Sequence, residues 1–139
     1  MNLLSGINST SSALNAERIR MEVISENIAN ANTAHGLDGK PYQRQQVVFE
    51  NVLNSQTGDL ANTGEVQVAR VEKDQREARL IYNPSHPDAD KNGMVAMPNI
   101  NIHEEMADLI TSSRAFEANL AVVKNARQMA LQTLSIGKR

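Results

Sequence analysis

The stretch NIHEEMADLITSSRAFEANLAVVKNARQMALQTLSIG, residues 101–137, decides the fold of this 139-residue chain. It contains no Pro and no Gly before Gly137, and its apolar residues recur with a helical period. Asn101, with Glu104 three residues later, resembles a capping box in which Asn replaces the usual Ser or Thr. At 1.5 Å per residue the predicted helix is about 50 Å long. We therefore expect it to be too long for a small single-chain core to cover.

Two rows of residues with a period of seven run along this predicted helix. Together they predict an a/d seam, interrupted mainly at two polar positions. One row is Met106, Ser113, Leu120, Arg127 and Leu134, and the other is Ile102, Leu109, Phe116, Val123 and Ala130. The members that we expect to form a packing surface are Met106, Leu109, Phe116, Leu120, Val123 and Leu134.

A second helix is predicted from about Ile7 to His35, because this segment lacks Gly and Pro and ends before Gly36. Its apolar stripe is thin, since polar residues occupy the companion positions in the first turns. The expected packing residues are Ile7, Leu14, Met21, Ile24 and Ile28. A helix with so little apolar surface is marginal without a packed face. Either the two helices close one domain as an intramolecular hairpin, or neighbouring subunits complete both seams. The thin stripe favours the second interpretation.

The middle of the chain, residues 36–98, holds all four prolines and most of the glycines. Three β-favouring runs stand between turn signals, at Tyr42–Leu53, Glu65–Val71 and Ala78–Tyr82. A region of about 60 residues buries little surface and is marginal alone. The predicted fold class is α+β, with long terminal helices pairing as a coiled coil. We divide it into an N-terminal helical arm (1–35), a β-rich middle region (36–98) and a C-terminal long helix (99–139).

The composition argues against several functions. A net charge of −2 offers no basic surface for a phosphate backbone, and two Tyr, two Phe and no Trp leave few faces for stacking bases. We expect no nucleic-acid partner. No run of 18 apolar residues exists, so we expect no membrane-spanning helix. The N-terminus has no basic start before an apolar core, so no cleaved signal peptide is expected. Without cysteine the chain has no thiol chemistry.

Two motifs are incomplete. His103-Glu104-Glu105-Met106-Ala107 begins like a zinc-protease helix, but Ala107 occupies the place of the second histidine ligand. No convergent catalytic cluster is visible elsewhere in the sequence. We therefore predict no enzyme activity, no small-molecule substrate and no cofactor.

The second incomplete motif is D-A-D-K-N-G, residues 88–93, which begins like an EF-hand calcium loop. The twelfth position should be Glu, whereas the chain has Asn99 after Pro98. The stretch is predicted to be an Asp-rich turn with Gly93 in left-handed geometry. A calcium-responsive coiled-coil adaptor is the alternative from a different functional class.

Four blocks of the sequence, in order and with their spacing, carry a wider resemblance. They are SALNAERIRMEVISENIANANT (12–33), DGKPYQRQQVVF (38–49), YNPSHPDADKNGMVAMPNIN (82–101) and EEMADLITSSRAFEAN (104–119). Together they resemble the bacterial flagellar basal-body rod protein family, most of all its proximal rod members. The departures are mild: Met94 and Phe116 stand where Tyr is frequent, and Leu120 where Val is frequent. The alternative within the same class is another axial subunit of the rod or hook.

The resemblance implies a structural protein of the flagellar basal-body rod. Its partners would be further copies of itself and other flagellar rod proteins, stacked into a tubular drive shaft for motility. It also implies terminal helices that line the export channel as a coiled coil, with the β-rich part facing outward. The resemblance implies that subunits cross the inner membrane through the flagellar type III export apparatus, which agrees with the absence of a readable signal peptide. It also implies a periplasmic rod.

Overall fold

The computed structural model describes residues 3–36, 38–52 and 65–137, and the account below concerns those residues. The order of elements is α1 (Leu3–Ala29), β1 (Gln45–Val52), β2 (Glu65–Lys73), β3 (Arg79–Tyr82), β4 (Met94–Met97) and α2 (Ile102–Ile136). The α+β prediction, with a long helix near each end and a small β-rich middle, is confirmed. Leu53, which ended the first predicted strand, lies outside the described residues.

Helix α2 begins and ends where its capping residues predict. The Asn101 side chain accepts a hydrogen bond from the backbone N–H of His103 at 3.2 Å, which satisfies one of the free donors of the first turn. Glu104 and Glu105 place negative charge at the positive end of the helix. At the other end the Gly137 N–H donates to the Thr133 carbonyl. The helix is 35 residues long, or about 52 Å.

Helix α1 ends at Ala29, six residues before the predicted end at His35. The Asn30 side-chain amide donates to the Glu26 carbonyl at 2.9 Å, and its oxygen accepts from the Thr33 hydroxyl. Polar side chains that bond to nearby backbone favour turns over further helix. The chain therefore turns at residues 30–32, before it reaches Gly36.

The two helices pack against each other and run antiparallel. Asn27, near the end of α1, donates to Glu105 at the start of α2 at 3.0 Å. Arg20, two turns earlier in α1, lies 3.9 Å from Asp108, further along α2. With this register the last seven or so residues of α2, about two turns, extend past the start of α1. The predicted coiled-coil pairing of the helices stays a prediction.

Strands β1 and β2 form an antiparallel ribbon that packs on α1. Val47 pairs with Val71 and Phe49 pairs with Val68, with a β-bulge between the two pairs. Because strand side chains alternate between faces, the extra residue is what brings these pairs to the same face. Val47 and Phe49 line a cleft against α1. The opposite face of the ribbon carries charged and amide side chains, such as Glu50, Glu72 and Arg70.

Strands β3 and β4 form a separate antiparallel hairpin, and β4 is an element that the sequence analysis missed. The loop between them contains the D-A-D-K-N-G stretch. There the Asp90 carboxylate accepts from the backbone N–H groups of Asn92 and Met94, both at 2.8 Å. Gly93 has the positive φ of 75° that the turn requires. The half-motif is therefore a turn whose aspartate already bonds to its own backbone.

The buried apolar residues of the described part lie in the second half of α1 and just after it, in β4, and just before α2. They are small in number and mostly small in size: Ala16, Val23, Ile24, Ala31, Val95 and Ile100. Many larger apolar side chains of the described part are instead exposed on α2. The single chain thus leaves much of its apolar surface without a partner.

Candidate functional site: a polar junction and two apolar flanks

Most of the predicted packing residues of α1 lie outside the buried line of this helix. Ile24 is buried, whereas Ile7, Leu14, Met21 and Ile28 are half-buried. The line of α1 that is buried runs instead through Ala16, Val23 and Asn27, and buried Ala31 follows in the turn after the helix. At 100° per residue the Ile7 row lies about 100–160° around the helix from Asn27.

The predicted packing residues of α2 separate into two groups. Leu109, Phe116, Leu120 and Val123 are half-buried. Met106 and Leu134 are exposed, at 51% and 68% of their surface. The fully buried residues of this helix are Glu105 and Ser112, seven positions apart. Of the two rows that hydrophobic periodicity found, the Leu109 row is thus half-buried at Leu109, Phe116 and Val123, whereas the Met106 row is exposed at Met106 and Leu134 and half-buried at Leu120.

Two apolar flanks border the buried line of α2. One, the Met106 flank, contains Met106, Leu120, Leu131 and Leu134; the other, the Val122 flank, contains Val122, Met129 and Ile136. The members of each flank lie on average about 80–100° from the Ser112 line, the two flanks on opposite sides of it. Apart from half-buried Leu120, all are more than half exposed. The Val122 flank was missed by the sequence analysis, although its members recur every seven residues.

A buried polar junction holds the helices to the ribbon, and Asn27 is its centre. This side chain is only 1% exposed. Its amide nitrogen donates to the Gln45 carbonyl at 2.8 Å and to Glu105 Oε2 at 3.0 Å. Its oxygen accepts from the Gln45 N–H at 2.9 Å and from the Tyr42 hydroxyl at 3.1 Å. Both donors and both acceptor positions of the amide are thus used. Asn27 joins α1, the start of β1 and α2.

Glu105 and Arg44 form the charged half of the junction. The Arg44 Nε donates to Glu105 Oε1 at 2.6 Å, and the Glu105 side chain is 1% exposed. The Arg44 guanidinium also lies 3.8 Å from Asp74, just after β2, and 4.0 Å from Asp108 of α2. A buried carboxylate costs several kcal/mol of desolvation unless it is paired and hydrogen-bonded, and Glu105 meets both conditions.

In the outer part of the junction, Asp74 lies between the positive charges of Arg44 and Arg76. Arg76 bonds to the Asp74 carboxylate through Nη2 at 2.7 Å. These hydrogen bonds hold the pKa of the Asp74 carboxyl below its usual value. Burial, followed by the nearby Glu26 carboxylate, raises the pKa of the Tyr42 hydroxyl. Tyr42 therefore stays protonated at neutral pH and donates its hydrogen bond to Asn27.

The arrangement can hold the helices and the ribbon together and fix their positions. The described residues show little sign of reactive chemistry. Among them, no group of three His, Asp or Glu side chains is arranged to hold a metal ion. His35, Asp88 and His86 approach one another, with His–Asp distances of 3.5 Å and 3.7 Å. This cluster ties the segment after α1 to the β3–β4 loop.

Neither α1 nor α2, nor any other described helix, has the length and apolar character that crossing a membrane would need.

The chain matches two family models, one at each end. Residues 7–34 match the model described as flagella basal body rod protein. Residues 91–136 match the model described as the C-terminal part of the flagellar basal body rod FlgEFG proteins. The matched segments cover most of α1, then β4 and α2, which carry Asn27 and Glu105 of the polar junction and both apolar flanks.

Individual relatives match over nearly their full length. The flagellar basal-body rod protein FlgC of Borreliella burgdorferi is 42% identical, over 98% of both chains. The protein of the same name from Escherichia coli O157:H7 is 40% identical, over 99% of this chain and 100% of its own length. The FlgC protein of Bacillus subtilis is 37% identical over the same shares. With the family models matching both helical ends, the chain belongs to the flagellar basal-body rod protein family, among the FlgC proteins.

Proposed function

We propose that the chain is a structural subunit of the flagellar basal-body rod, which assembles with copies of itself and with other rod proteins and catalyses no reaction. The observation that carries the proposal is the full-length relationship to FlgC rod proteins. The structure supports it independently, because the chain exposes long rows of apolar side chains that a lone domain would bury.

The geometry of α2 suggests how such a subunit polymerises. The Met106 flank and the Val122 flank differ in residues and lie on opposite sides of the same helix. Two different surfaces, each meeting a different neighbour, make a heterologous contact, which produces rings or open helical tubes. Residues Ile7, Leu14, Met21 and Ile28 of α1 offer a further half-buried row for the same assembly.

We place the working subunit in the proximal part of the rod, in the periplasm, as a component of the shaft that transmits torque. Export through the flagellar type III apparatus suits a chain with a modest core and two long helices. The β-rich region then faces outward, and the terminal helices face the channel. These finer points rest on the likeness of the whole chain to FlgC rod proteins.

The proposal is tested by placing a charge on each flank of α2. Leu120→Asp changes the Met106 flank and Val122→Asp changes the Val122 flank. Burying such a side chain is worth about 1.5–3 kcal/mol, and the contact repeats at every subunit, so each variant should leave a soluble chain that fails to enter the rod. Ala121→Asp is the control, because it adds the same charge at an exposed position of the same helix, on the side away from both flanks.

The measurement is swimming and rod assembly in a strain whose own copy has been replaced by each variant. Loss of rods in both flank variants, with normal rods in the control, supports the proposal. Normal swimming by either flank variant contradicts the role assigned to that flank.

A further inference from the structure

The apolar side chains between α1 and α2 would allow the two helices to pack in more than one register. Ala16 and Val23 of α1 lie seven residues apart. On α2 the half-buried Leu109, Phe116 and Val123 also repeat every seven residues. A slide of one helix past the other by seven residues would therefore set apolar side chains against apolar side chains again. Apolar packing of this kind does not specify a single register.

The polar junction removes that degeneracy. After a seven-residue slide, Arg20 or Ala34 would take the place of Asn27. The arginine side chain can only donate hydrogen bonds, and the alanine side chain can neither donate nor accept them. The Tyr42 hydroxyl and the Gln45 N–H would therefore lose their buried acceptor. Buried donors without acceptors are strongly unfavourable, and a single buried polar pair is the best-attested way to fix helix register.

Arg44 extends this selection to the ribbon. Its guanidinium contacts Glu105 and Asp108, which lie three residues apart on α2. Its backbone carbonyl accepts from the Asp74 N–H at 2.7 Å, and its side chain lies near the Asp74 carboxylate. The guanidinium can reach the carboxylates of Glu105, Asp108 and Asp74 together only at one axial position of α2 relative to the paired ends of β1 and β2.

We propose that Arg44, with Asn27 and Glu105, is the register pin of the subunit. It fixes α1 against α2, and the ribbon against both helices. It thereby decides which apolar side chains of α2 remain outside the helix pair, on the two flanks that neighbouring subunits meet. This inference rests on the proposed function for its biological meaning, but the register itself is a property of the single chain.

The register is measured directly by the distance between spin labels on the two helices of the full-length chain. The chain has no native cysteine, so Asn8→Cys on α1 and Arg114→Cys on α2 give two labels at exposed positions, offset by about 12–15 Å along the helix axes in this register. A seven-residue slide changes that offset by about 10 Å, so it lengthens or shortens the distance between the labels by several ångströms, depending on its direction. A dipolar distance measurement resolves such a change. The otherwise unchanged chain should show one distance population.

Arg44→Met keeps the aliphatic stem and removes the charge, and it should add a second, displaced population. Arg44→Lys should keep one population, because its ammonium still pairs with Glu105. Should Arg44→Met fail to fold, Glu105→Gln takes its place, since it removes the charge and retains an acceptor for Asn27. A single unchanged distance in a folded variant that lacks the charge pair overturns the proposal.

A double-mutant cycle measures whether the pair acts as a unit. Arg44→Met and Glu105→Gln should each raise the unfolding equilibrium constant at least tenfold, with a coupling of tenfold or more, which is about 1.4 kcal/mol. The exposed pair Arg18 and Glu22 serves as control, with an expected coupling below threefold. Additive effects at Arg44 and Glu105 would contradict a shared pin.

The last arm measures incorporation into isolated basal bodies. Arg44→Met should enter the rod at least tenfold less than the unchanged chain, and Arg44→Lys within threefold of it. Equal incorporation of Arg44→Met overturns the assembly consequence of the pin. Absence of the unchanged chain from intact rods would instead refute the proposed function, and the distance measurement would still decide the register.

Discussion

Asn27→Asp tests how the buried junction is held together. Aspartate has almost the same shape as asparagine, but as a carboxylate it only accepts hydrogen bonds. The substitution removes the two bonds that the Asn27 amide nitrogen donates, to the Gln45 carbonyl and to Glu105. It also sets a second carboxylate where the amide now lies 3.0 Å from the Glu105 oxygen.

The expected cost follows from those contacts. A lost neutral hydrogen bond costs about 1 kcal/mol, and a lost bond to a buried charge about 1.5–3 kcal/mol. The facing carboxylates add repulsion that is reduced when one of them takes up a proton. We expect the free energy of unfolding to fall by about 3–5 kcal/mol at pH 7. For a chain of this size the midpoint of thermal unfolding should fall by about 10–15 °C.

The assay is denaturant and thermal unfolding of the full-length variant between pH 7 and pH 5. The deficit should shrink as the pH falls, because a proton shared between the facing carboxylates relieves their repulsion. Asn15→Asp is the matched control, since it adds the same charge at an exposed position of α1 and should cost less than about 0.5 kcal/mol. An Asn27→Asp protein as stable as the unchanged chain at pH 7 would refute this description of the junction.

Three further predictions concern single sites. Gly93→Ala should destabilise the chain by about 1–3 kcal/mol in denaturant unfolding, because φ is 75° there and a Cβ would stand 3.0 Å from the Tyr82 ring; equal stability would argue against this turn. Asn101→Ala should lower the unfolding free energy by about 1 kcal/mol, whereas Asn101→Ser should largely preserve it, as the cap of α2 requires. Hydrogen bonds from Arg76 lower the pKa of Asp74, so their stabilisation is present above the ordinary carboxyl value and is lost as the pH falls through the lowered one. Asp74→Asn should therefore weaken the dependence of the unfolding free energy on pH in the acid range. An unchanged dependence there would contradict the bond to Arg76.

The sequence predicted the elements whose signals are local. Helix α2 was predicted to within a residue, because a cap at Asn101, a long apolar period and Gly137 all agree. Strand β4 was missed because its four residues include two Met and one Ala, which have little β preference, and its partner β3 defines it. Helix α1 was predicted too long because the side-chain bonds of Asn30 compete with helix beyond Ala29.

The polar junction was not predicted, for a physical reason. A search for apolar periodicity treats Asn27, Glu105 and Arg44 as exposed, since such residues are rarely buried unless paired. Their partners come from segments far apart in sequence, and no local pattern announces the pairing. The available signal was positional: Asn27 and Ala16 share one face of α1, and Glu105 and Ser112 share one face of α2. Asn27 also lies four residues after Val23 on that buried face.

The predicted seam describes α2 in part. Its Leu109 row is half-buried, whereas its Met106 row is exposed at Met106 and Leu134 and stays a predicted subunit interface. A period of seven cannot distinguish an intramolecular seam from an intermolecular one, because both repeat at the same spacing. Small buried side chains at the actual contact, such as Ala16 and Ser112, carry too little apolar signal to decide between them.

The measurement that tests the central claim most directly is mass spectrometry of intact hook–basal bodies after stringent washing. As a rod subunit, the chain should remain with the rod at a fixed ratio to the other axial proteins. It should also be lost, together with the rod, in the Leu120→Asp and Val122→Asp strains. An intact, washed rod that lacks the chain would contradict the structural role.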